Sequence, residues 1–420
     1  MNDVKNGRKS TYTYGLFLAT NEFFYQVNEQ DNDMRKTAQF NFVDLFCGAG
    51  GLSSGLEKAG MNCILGTDQE KSAIATFEKN HKNSETFTDD ISKLDKRTLT
   101  KLTGGEKIHL VCGGPPCQGM STVGTGIPDD PRNFLFLEFV RIVKILNPDY
   151  ILIENVTGLV GKKNKKILDA IMHRFSELGY IMSAKVLSAE HYGVPQRRRR
   201  TIIVGNRLGY DYEFPKPTHG DRDKLLPYVT IGDVFAAIPI DAKNHDLKSA
   251  EIKNKTDYER IALIPEGKGV RYHHDEIEHW GKKKKLWLDI DWSKVTENHR
   301  LREMQYHRLN RNGVSPTIMT GRYTYYHPVE NRHLTCREAA SIMSFQNSFV
   351  FEGTVSQQWR QIGNAVAPLL GKAIGKSILN SYRTRKKAKS TQPKIIKTKA
   401  FDYEDDMLDE NYAITEFVQK

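Results

Sequence analysis

Buried strands and helices alternate from Phe40 to Gly205, and this alternation restricts the possible folds more than any other feature of the sequence. Short apolar runs bounded by glycines are typical of parallel strands that are buried on both faces. Such runs occur at 42–46, 63–68, 108–112, 150–154, 181–187 and 201–204, with helical stretches at 52–59, 71–80, 134–146 and 164–178. The succession predicts an α/β fold with a doubly wound, mostly parallel sheet and helices on both faces.

The alternation stops after Gly205, and this change divides the chain of 420 residues. We expect five segments: a polar N-terminal arm (1–38), a main domain (39–205), a smaller irregular domain (206–330), a segment that returns to the main domain (331–382) and a tail (383–420) that is basic and then acidic. Within the returning segment, Thr335 and Glu338 form the pattern of a capping box, and a last helix is predicted at about 365–382. The tail is too polar to fold alone.

The net charge and the spacing of the cysteines limit the classes of protein to which this chain can belong. A formal net charge of +11 favours a polyanionic partner, although charge can also serve solubility. Five dispersed cysteines without a CxxC pair suit a reducing cytosol and form neither a disulfide framework nor a zinc cluster. Three histidines, His273, His274 and His279, lack companion ligands, so we expect no metal site. Without a long apolar run or an apolar N-terminal stretch, neither a membrane span nor secretion is indicated.

Cys117 follows a buried strand and a stiff turn, Gly113-Gly114-Pro115-Pro116. The glycines let the backbone turn, while the prolines fix φ and force the residues before them to be extended. A rigid loop at the carboxyl end of a strand is where open α/β sheets place their reactive groups, which makes Cys117 a candidate nucleophile. The alternative from this segment alone is a cysteine that packs as a small hydrophobe.

A glycine turn with two acidic residues further along indicates a cofactor. The spacing of Gly48, Gly50 and Gly51 differs from the G-x-G-x-x-G pattern of dinucleotide sites, so an adenosine ligand without a pyrophosphate fits better. S-adenosylmethionine is such a ligand, with Asp68 on the ribose hydroxyls and Asp90 on the adenine amino group. Each carboxylate taken separately could instead cap a helix or face water.

Further polar groups follow other strands of the predicted sheet. Glu154 ends the apolar strand at 150–154, and Gln196-Arg197-Arg198-Arg199-Arg200 directly precedes the strand at 201–204. A carboxylate that emerges from an apolar strand is costly unless it is paired, and arginines can supply the partner. A nucleophile, an acid and a guanidinium that lie on one sheet of the nucleotide-binding type can act together on a polar heterocycle.

With these motifs the sequence resembles the cytosine-5 DNA methyltransferases, of the bacterial restriction–modification or solitary type. The matching motifs are Asp44-Leu-Phe46-Cys-Gly48-Ala-Gly50-Gly51, Gly114-Pro-Pro116-Cys117-Gln118, Glu154-Asn155-Val156, Gln196-x-Arg198-x-Arg200, Arg337-Glu338 and Gln361-x-Gly363-Asn364-x-Val366. They cover about residues 41–205 and 314–378. In this family the stretch before the last two motifs is the target recognition domain, which the resemblance assigns to 206–330.

The resemblance implies a mechanism on a cytosine that is flipped out of duplex DNA. Cys117 would add to carbon 6, Glu154 would bond to N3 and the exocyclic amine, and Arg200 would bind O2. Arg198 would orient Glu154 and keep the cysteine region electropositive. Carbon 5 would then take the methyl group and lose its proton before Cys117 leaves. Additional base contacts would come from Asn155, Gln118 and Ser121.

The cofactor implied by the resemblance is S-adenosylmethionine, with S-adenosylhomocysteine as product and no metal. Its contacts would be Asp44, Phe46, Gly48, Gly50, Gly51, Asp68, Gln69, Asp90, Ile91, Pro116, Asn364 and Val366. Two positions depart from the usual pattern, because many relatives have Glu in place of Asp68 and an aromatic residue in place of Gln69. Asp68 can accept the same hydrogen bonds as Glu. Gln69 would give the adenine a polar amide neighbour in place of an aromatic ring.

The family resemblance also implies binding partners and leaves alternative functions open. We expect a cytoplasmic monomer that acts on double-stranded DNA, either paired with a restriction endonuclease for the same site or solitary. The loop from Ser121 to Arg132 has the composition of a lid that closes over DNA, or of an ordinary surface loop. Two other functions stay open: methylation of tRNA cytosine by a relative of this family, and a non-catalytic DNA-binding role.

Overall fold

The computed structural model describes residues 39–115, 131–161, 164–295 and 304–385, and a seven-stranded sheet lies at its centre. The strands are β1 (Asn41–Leu45), β2 (Asn62–Thr67), β3 (Glu85–Phe87), β4 (Leu110–Gly113), β5 (Tyr150–Val156), β6 (Ile181–Ser188) and β7 (Arg199–Asn206). Their order is β3-β2-β1-β4-β5-β7-β6, and β7 runs antiparallel to both of its neighbours. The prediction of a doubly wound, mostly parallel α/β sheet is confirmed.

Helices connect and follow these strands. In chain order they are α1 (Gly51–Lys58), α2 (Lys71–Asn80), α3 (Lys96–Leu102), α4 (Pro131–Leu146), α5 (Lys165–Ser176), α6 (Ile231–Ala236), α7 (Lys255–Ala262), α8 (His273–Trp280), α9 (Cys336–Ile342), α10 (Val355–Asn364) and α11 (Pro368–Arg385). A two-stranded ribbon of β8 (His307–Arg308) and β9 (Tyr325–Tyr326) lies outside the central sheet. None of the helices in the described ranges combines the length and the apolar composition that crossing a membrane requires.

Alternate residues of the strands fill two separate cores, because successive side chains of a strand point to opposite faces of the sheet. Phe42 and Cys112 belong to the core that contains α1, α9, α10 and α11. Val43 and Val111 belong to the core on the other face, which α4 and α5 cover. Both faces of the sheet are therefore buried, as the continuous apolar runs predict.

Glycines allow α1 and α11 to pack in close contact. A Cβ atom on Gly55 would lie 2.4 Å from the carbonyl oxygen of Pro368 and 2.7 Å from Cα of Gly371. A Cβ atom on Gly375 would lie 2.8 Å from Cβ of Ala59. The first and the last helix thus share one packed interface next to β1.

The observed helices differ from the predicted ones at the α10–α11 junction and at the start of α4. The last helix begins at Pro368 instead of 365, because proline favours the first helical position and Ala365 is extended. The sequence analysis missed α10, although Thr354 and Gln357 form a capping box at its start. Helix α4 begins at Pro131, so Arg132 belongs to a helix, while residues 121–130 of the predicted lid lie outside the described residues.

The region after β7 contains a small core of its own. It consists of Ile261, Ile264, Val270, Trp280, Leu286 and Tyr326, contributed by α7, α8 and the segments around them. Ile231 at the start of α6 instead packs into the core beside α1. The segment limits at 38, 205, 330 and 382 stay predictions, and the N-terminal arm and most of the tail lie outside the described residues.

Candidate active site

The turn between β1 and α1 has an unusual backbone. Phe46, Gly48 and Gly50 all have positive φ values, of 59°, 54° and 86°, and Gly50 is the residue before α1 begins. A Cβ atom on Gly48 would meet nothing within 4 Å, so a ligand can approach the backbone there. On the opposite side, a Cβ atom on Gly51 would lie 2.4 Å from the carbonyl oxygen of Val366. The structure thus brings together two predicted cofactor motifs that are about 300 residues apart in sequence.

Asp68 follows β2 and binds this turn. Its Oδ2 accepts a hydrogen bond from the backbone N–H of Gly48 at 2.9 Å, and its Oδ1 accepts one from the N–H of Glu70 at 2.9 Å. Partial burial raises the pKa of the carboxyl group, and these hydrogen bonds oppose the rise. Gln69 is exposed beside it. Asp68 therefore lies beside the turn between β1 and α1, and its binding of a ribose stays a prediction.

Asp90 and Ile91 have different environments. Asp90 is exposed, and its Oδ1 accepts a hydrogen bond from the N–H of Ser92 at 2.8 Å, which lowers the pKa of the carboxyl group. It thereby caps the short 3₁₀ helix Ile91–Lys93. The side chain of Ile91 is buried in the core. Capping leaves the second carboxylate oxygen of Asp90 able to accept a further hydrogen bond.

Asp44, another predicted cofactor residue, lies beneath the turn and is only 1% exposed. The hydroxyl group of Ser53 in α1 donates to its Oδ2 at 2.5 Å. Burial raises the pKa of Asp44 to about 7. The side chain of Asp44 thus joins β1 to α1 through Ser53, whereas Phe46 and Gly48 form the turn itself.

The candidate nucleophile falls outside the described part of the chain, together with Pro116, Gln118 and Ser121. The two residues before this gap are described. Asn155 Nδ2 donates to the carbonyl oxygen of Pro115 at 3.1 Å, and a Cβ atom on Gly114 would lie 3.3 Å from Oε2 of Glu154. The chain that leads to Cys117 therefore runs directly past Glu154 and Asn155.

Glu154 is paired with Arg200. The Nε atom of Arg200 lies 2.8 Å from Oε1 of Glu154, and the two side chains are 15% and 13% exposed. Arg200 faces Val156 in the antiparallel ladder of β5 and β7, so it shares a sheet face with Glu154, two residues before Val156. Burial lowers the pKa of the Arg200 guanidinium, and the neighbouring carboxylate opposes this.

Arg198 has other partners than the sequence analysis expects. Its Nη2 donates to the carbonyl oxygens of Gly363 and Ala365 at 2.8 and 2.9 Å, and its Nη1 donates to that of Ile318 at 3.3 Å. The prediction that Arg198 orients Glu154 is therefore wrong in this structure, since Arg198 lies beyond the end of the ladder and Arg200 makes that contact. Arg198, which is 1% exposed, instead fixes the segment that leads to Val366.

The other residues of the last motif have distinct surroundings. Asn364 is exposed at the end of α10, and Val366 is half-buried against Gly51. Gln361 accepts a hydrogen bond from Thr76 Oγ1 at 2.7 Å and so joins α10 to α2. The residues predicted to contact the cofactor thus lie on or next to β1, β2 and the α10–α11 junction, and Gln361 joins that junction to α2.

The sequence analysis missed His81, a buried residue next to the turn between β1 and α1. A Cβ atom on Gly50 would lie 2.3 Å from its Nε2. No spacing rule singles out a histidine at the end of a helix, so the sequence held no signal for it. Among the described residues, no group of His, Cys, Asp and Glu side chains could hold a metal ion.

Four exposed lysines directly follow α8, whose last residue is a buried tryptophan. The four consecutive lysines 282–285 are exposed, while Trp280 is buried in the small core. Arg260 donates to the carbonyl oxygens of Leu286 and Trp287 at 2.7 and 2.9 Å and so fixes the segment after the lysines. This basic segment, residues 282–285, is thus held on a folded support.

Known proteins are similar to this chain along most of its length. The family model described as C-5 cytosine-specific DNA methylase matches residues 40–380. The Type II methyltransferase M1.HphI of Haemophilus parahaemolyticus is 33% identical over 357 residues, which cover 80% of this chain and 86% of that protein. The Type II methyltransferase M.DdeI of Desulfomicrobium norvegicum is 30% identical over 371 residues, which cover 80% and 88%.

Solved structures share the fold. A chain described as a DNA modification methyltransferase encoded within an E. coli prophage superposes with a TM-score of 0.63 at 25% identity, covering 82% of this chain and 100% of its own. A DNMT2 variant of Spodoptera frugiperda superposes with a TM-score of 0.56 at 17% identity, covering 81% and 100%, and supports the fold alone. Because the family model spans most of the chain and two relatives reach 30% identity, this protein belongs to the C-5 cytosine-specific DNA methylases.

Proposed function

We propose that this DNA cytosine-5 methyltransferase transfers the methyl group of S-adenosylmethionine to a flipped-out cytosine while Cys117 is covalently bound to the base. The observation that carries the proposal is the Glu154–Arg200 pair, which lies beside Gly114 at the end of β4. An acid and a guanidinium at this edge can bind the polar side of a pyrimidine, with the thiol three residues further along the chain.

In the proposed mechanism the Cys117 thiolate adds to carbon 6 of the cytosine and makes carbon 5 nucleophilic. Glu154 shares a proton with N3 and accepts a hydrogen bond from the exocyclic amine, and the shared proton stabilises the negative charge that develops on the ring. The guanidinium of Arg200 holds Glu154 through Nε and binds O2 of the base. Asn155 keeps the chain before Cys117 in place through Pro115. After methyl transfer a base removes the carbon 5 proton, and the electrons of that C–H bond expel the thiolate.

The turn between β1 and α1 is the proposed cofactor site. The open backbone at Gly48 and the carboxylate of Asp68 fit a ligand that carries a ribose and no phosphate. Phe46, Asp90 and Ile91 would hold the adenine, and Asn364 and Val366 would close the site. When bound there, S-adenosylmethionine supplies the methyl group, and S-adenosylhomocysteine remains.

We further propose that residues 206–330 recognise the DNA sequence. Lysines attract the phosphates of duplex DNA, and the basic segment 282–285 rests on the small core of this region. Residues 331–382 return to the domain formed by 39–205. We expect the protein to act as a monomer in the cytoplasm, either alone or beside a restriction endonuclease for the same sequence.

DNA that contains 5-fluorocytosine tests the covalent step. Fluorine at carbon 5 prevents the final proton removal, so an active enzyme stays attached to the base. We expect a denaturation-resistant adduct that requires S-adenosylmethionine and disappears in Cys117→Ala. Cys112→Ala is the matched control, because the Cys112 thiol is buried in β4 and donates to the carbonyl oxygen of Val43 at 3.5 Å.

This adduct assay and an assay of methyl transfer from labelled cofactor to DNA and tRNA together separate the alternative functions. A non-catalytic DNA-binding protein gives no adduct with any DNA, and an enzyme for tRNA gives label from methyl-labelled cofactor in tRNA and none in DNA. An adduct that persists in Cys117→Ala would overturn the assignment of the nucleophile.

A further inference from the structure

A groove with a volume of about 620 Å³ lies beside the last helix, on a surface that the proposed mechanism does not use. One wall of the groove is α11, and the other is the segment 213–218, which follows β7. Ser377 Oγ donates to the carbonyl oxygen of Glu213 at 2.5 Å, and the hydroxyl group of Tyr192 donates to that of Pro215 at 2.9 Å. These hydrogen bonds hold the second wall in place beside the helix.

The lining of the groove combines apolar and basic side chains. Phe214, which packs partly buried against the core beside α1, is one of the apolar residues. The basic residues are Lys216, Lys372 and Lys376, and Glu213 adds one acidic residue. Within the described part of the chain, none of these three lysines forms an ion pair. The groove thus carries an excess of positive charge next to apolar surface.

The lysines on this side of the protein act on one another. Burial lowers the pKa of Lys372, and the charge of Lys376 adds to this decrease. Burial and the charge of Lys372 in turn lower the pKa of Lys58, at the end of α1, to about 8, although Glu57 opposes the decrease. Because like charges in proximity are unfavourable, an anion bound nearby stabilises them. The groove therefore suits an acidic ligand that also has apolar side chains.

One end of the groove lies at the edge of the sheet opposite to Glu154. Thr384 lines this end, and the ring centroid of Tyr382, two residues earlier, lies 5.1 Å from that of Phe40 and 6.4 Å from that of Tyr150. Phe40 precedes β1 and Tyr150 begins β5, whereas Glu154 lies about 13 Å further along the same strand. A DNA duplex placed at Glu154 is therefore a poor candidate for this groove.

The chain itself contains a ligand of the required chemistry. Six of the nine residues 402–410, which we call the acidic segment, are Asp or Glu, and Tyr403, Met407 and Leu408 lie among them. Helix α11 ends at Arg385, directly after the end of the groove. The residues 386–401 between them can span up to about 55 Å, whereas the helical residues 369–384 that line the groove extend over about 24 Å. The acidic segment can thus reach any point of the groove.

We propose that the acidic segment binds within the same molecule, in the groove between α11 and the segment 213–218. Its carboxylates pair with Lys216, Lys372 and Lys376, and its apolar side chains cover Phe214. Because the acidic segment is tethered to α11, its effective concentration at the groove is about millimolar, and weak ion pairs are then sufficient for binding. The inference goes beyond the proposed function, since no group of the catalytic or the cofactor site takes part.

Carbodiimide cross-linking of the whole protein tests the position of the acidic segment. The reagent joins a carboxylate and a lysine amine as an amide where the two groups are in contact. We expect a cross-link from the acidic segment to Lys372 within one molecule, identified by mass spectrometry. The double variant Lys216→Glu and Lys376→Glu keeps the amine of Lys372 as a reporter. It should reduce this cross-link by about five-fold or more, because the loss of one exposed ion pair already changes a binding constant by up to about that factor.

A charge swap distinguishes ion pairing from damage to the groove. Asp405→Lys and Asp406→Lys, added to the groove double variant, restore opposite charges. We expect hydrogen exchange of the amides 401–410 to be slow in the wild type, faster in the groove double variant and slow again in the swapped protein. The double variant Lys96→Glu and Lys101→Glu changes the charge by the same amount on the exposed side of α3 and should leave the exchange unchanged.

Several results would overturn the proposal. One is equal exchange of the amides 401–410 in the wild type and in the groove double variant. Another is an acidic segment that forms no cross-link to the groove, or forms cross-links only to the basic run 383–389 or only to a second copy of the chain. A groove double variant that loses affinity for duplex DNA, with unchanged exchange of the acidic segment, would identify DNA as the occupant instead.

Discussion

The Nε atom of Arg200 lies 2.8 Å from Oε1 of Glu154, across the ladder of β5 and β7, and both side chains are largely buried. Arg198, two residues earlier, donates instead to the main chain at the α10–α11 junction. The two arginines of one motif thus have different partners: Arg200 holds Glu154, the acid that we propose binds the base, and Arg198 holds the segment before Val366, which we propose closes the cofactor site.

Arg200→Lys should reduce catalysis more than binding. Lysine keeps the charge but lacks the planar fork, so the contact with Glu154 is lost. Because a hydrogen bond to a charged group contributes about 1.5–3 kcal/mol, we expect single-turnover methyl transfer to slow by about 10- to 100-fold. Arg199→Lys, at the exposed neighbouring position, is the matched control. Equal rates for both variants would contradict the role of Arg200.

Arg198→Met should lower stability and cofactor affinity together. It removes the donor from three carbonyl oxygens and leaves them buried. We expect the free energy of unfolding in urea to fall by about 3 kcal/mol, with weaker binding of S-adenosylmethionine because the segment before Val366 loosens. Arg197→Met, on an exposed side chain, should change neither quantity. A stable Arg198→Met variant with normal cofactor affinity would refute this role.

Gly363→Ala should destabilise the protein through a steric clash. The added Cβ atom would lie 2.7 Å from the carbonyl carbon and oxygen of Met319, which are main-chain atoms with little freedom to move. Overpacking of this kind costs about 1–3 kcal/mol, visible as a lower melting temperature. Gly313→Ala is the control, since its Cβ atom would come no nearer than 4.0 Å to Asn310. An unchanged melting temperature in Gly363→Ala would show that the junction adjusts.

Replacing Lys282 and Lys283 with alanine should weaken DNA binding in a salt-dependent way. If each lysine neutralises one phosphate, the slope of log K against log salt concentration decreases in magnitude by about 1.8. Fluorescence anisotropy with duplex DNA at several salt concentrations measures this slope. The double variant Lys96→Ala and Lys101→Ala, on the exposed side of α3, removes the same charge elsewhere. Identical slopes for the two double variants would exclude a specific role for the basic segment.

The sequence predicted the central strands of the sheet because they are largely apolar, whereas it gave no signal for the short and partly exposed edge strand β3 (Glu85–Phe87). Runs such as Tyr150–Ile153 leave no alternative to a strand that is buried on both faces, and the glycines after β1 mark the turn. Predicted helix ends were less accurate at the α10–α11 junction. There α10 ends at Asn364 and α11 begins at Pro368. The local sequence is compatible with a helix on both sides, and only the extended backbone of Ala365 separates the two helices.

The roles of the two arginines depend on information that the sequence lacks. Arg198 and Arg200 have the same parity along the chain, so both can point to the same face. Only the register, with Arg200 opposite Val156, decides which one reaches Glu154. His81 depends on even more distant relations, since it approaches Gly50 and Glu57 through the packing of α2 against α1.

The close glycine contact between α1 and α11 has a consequence for synthesis of the protein on the ribosome. Translation proceeds at about 5–20 residues per second, so on the order of 15–60 s pass between the emergence of α1 and that of α11. During this interval the face of α1 around Gly55 lacks its partner, and Val366 has not yet reached Gly51. A nascent chain therefore completes the packing behind the turn between β1 and α1 only late in translation, after almost all of the sheet has been synthesised.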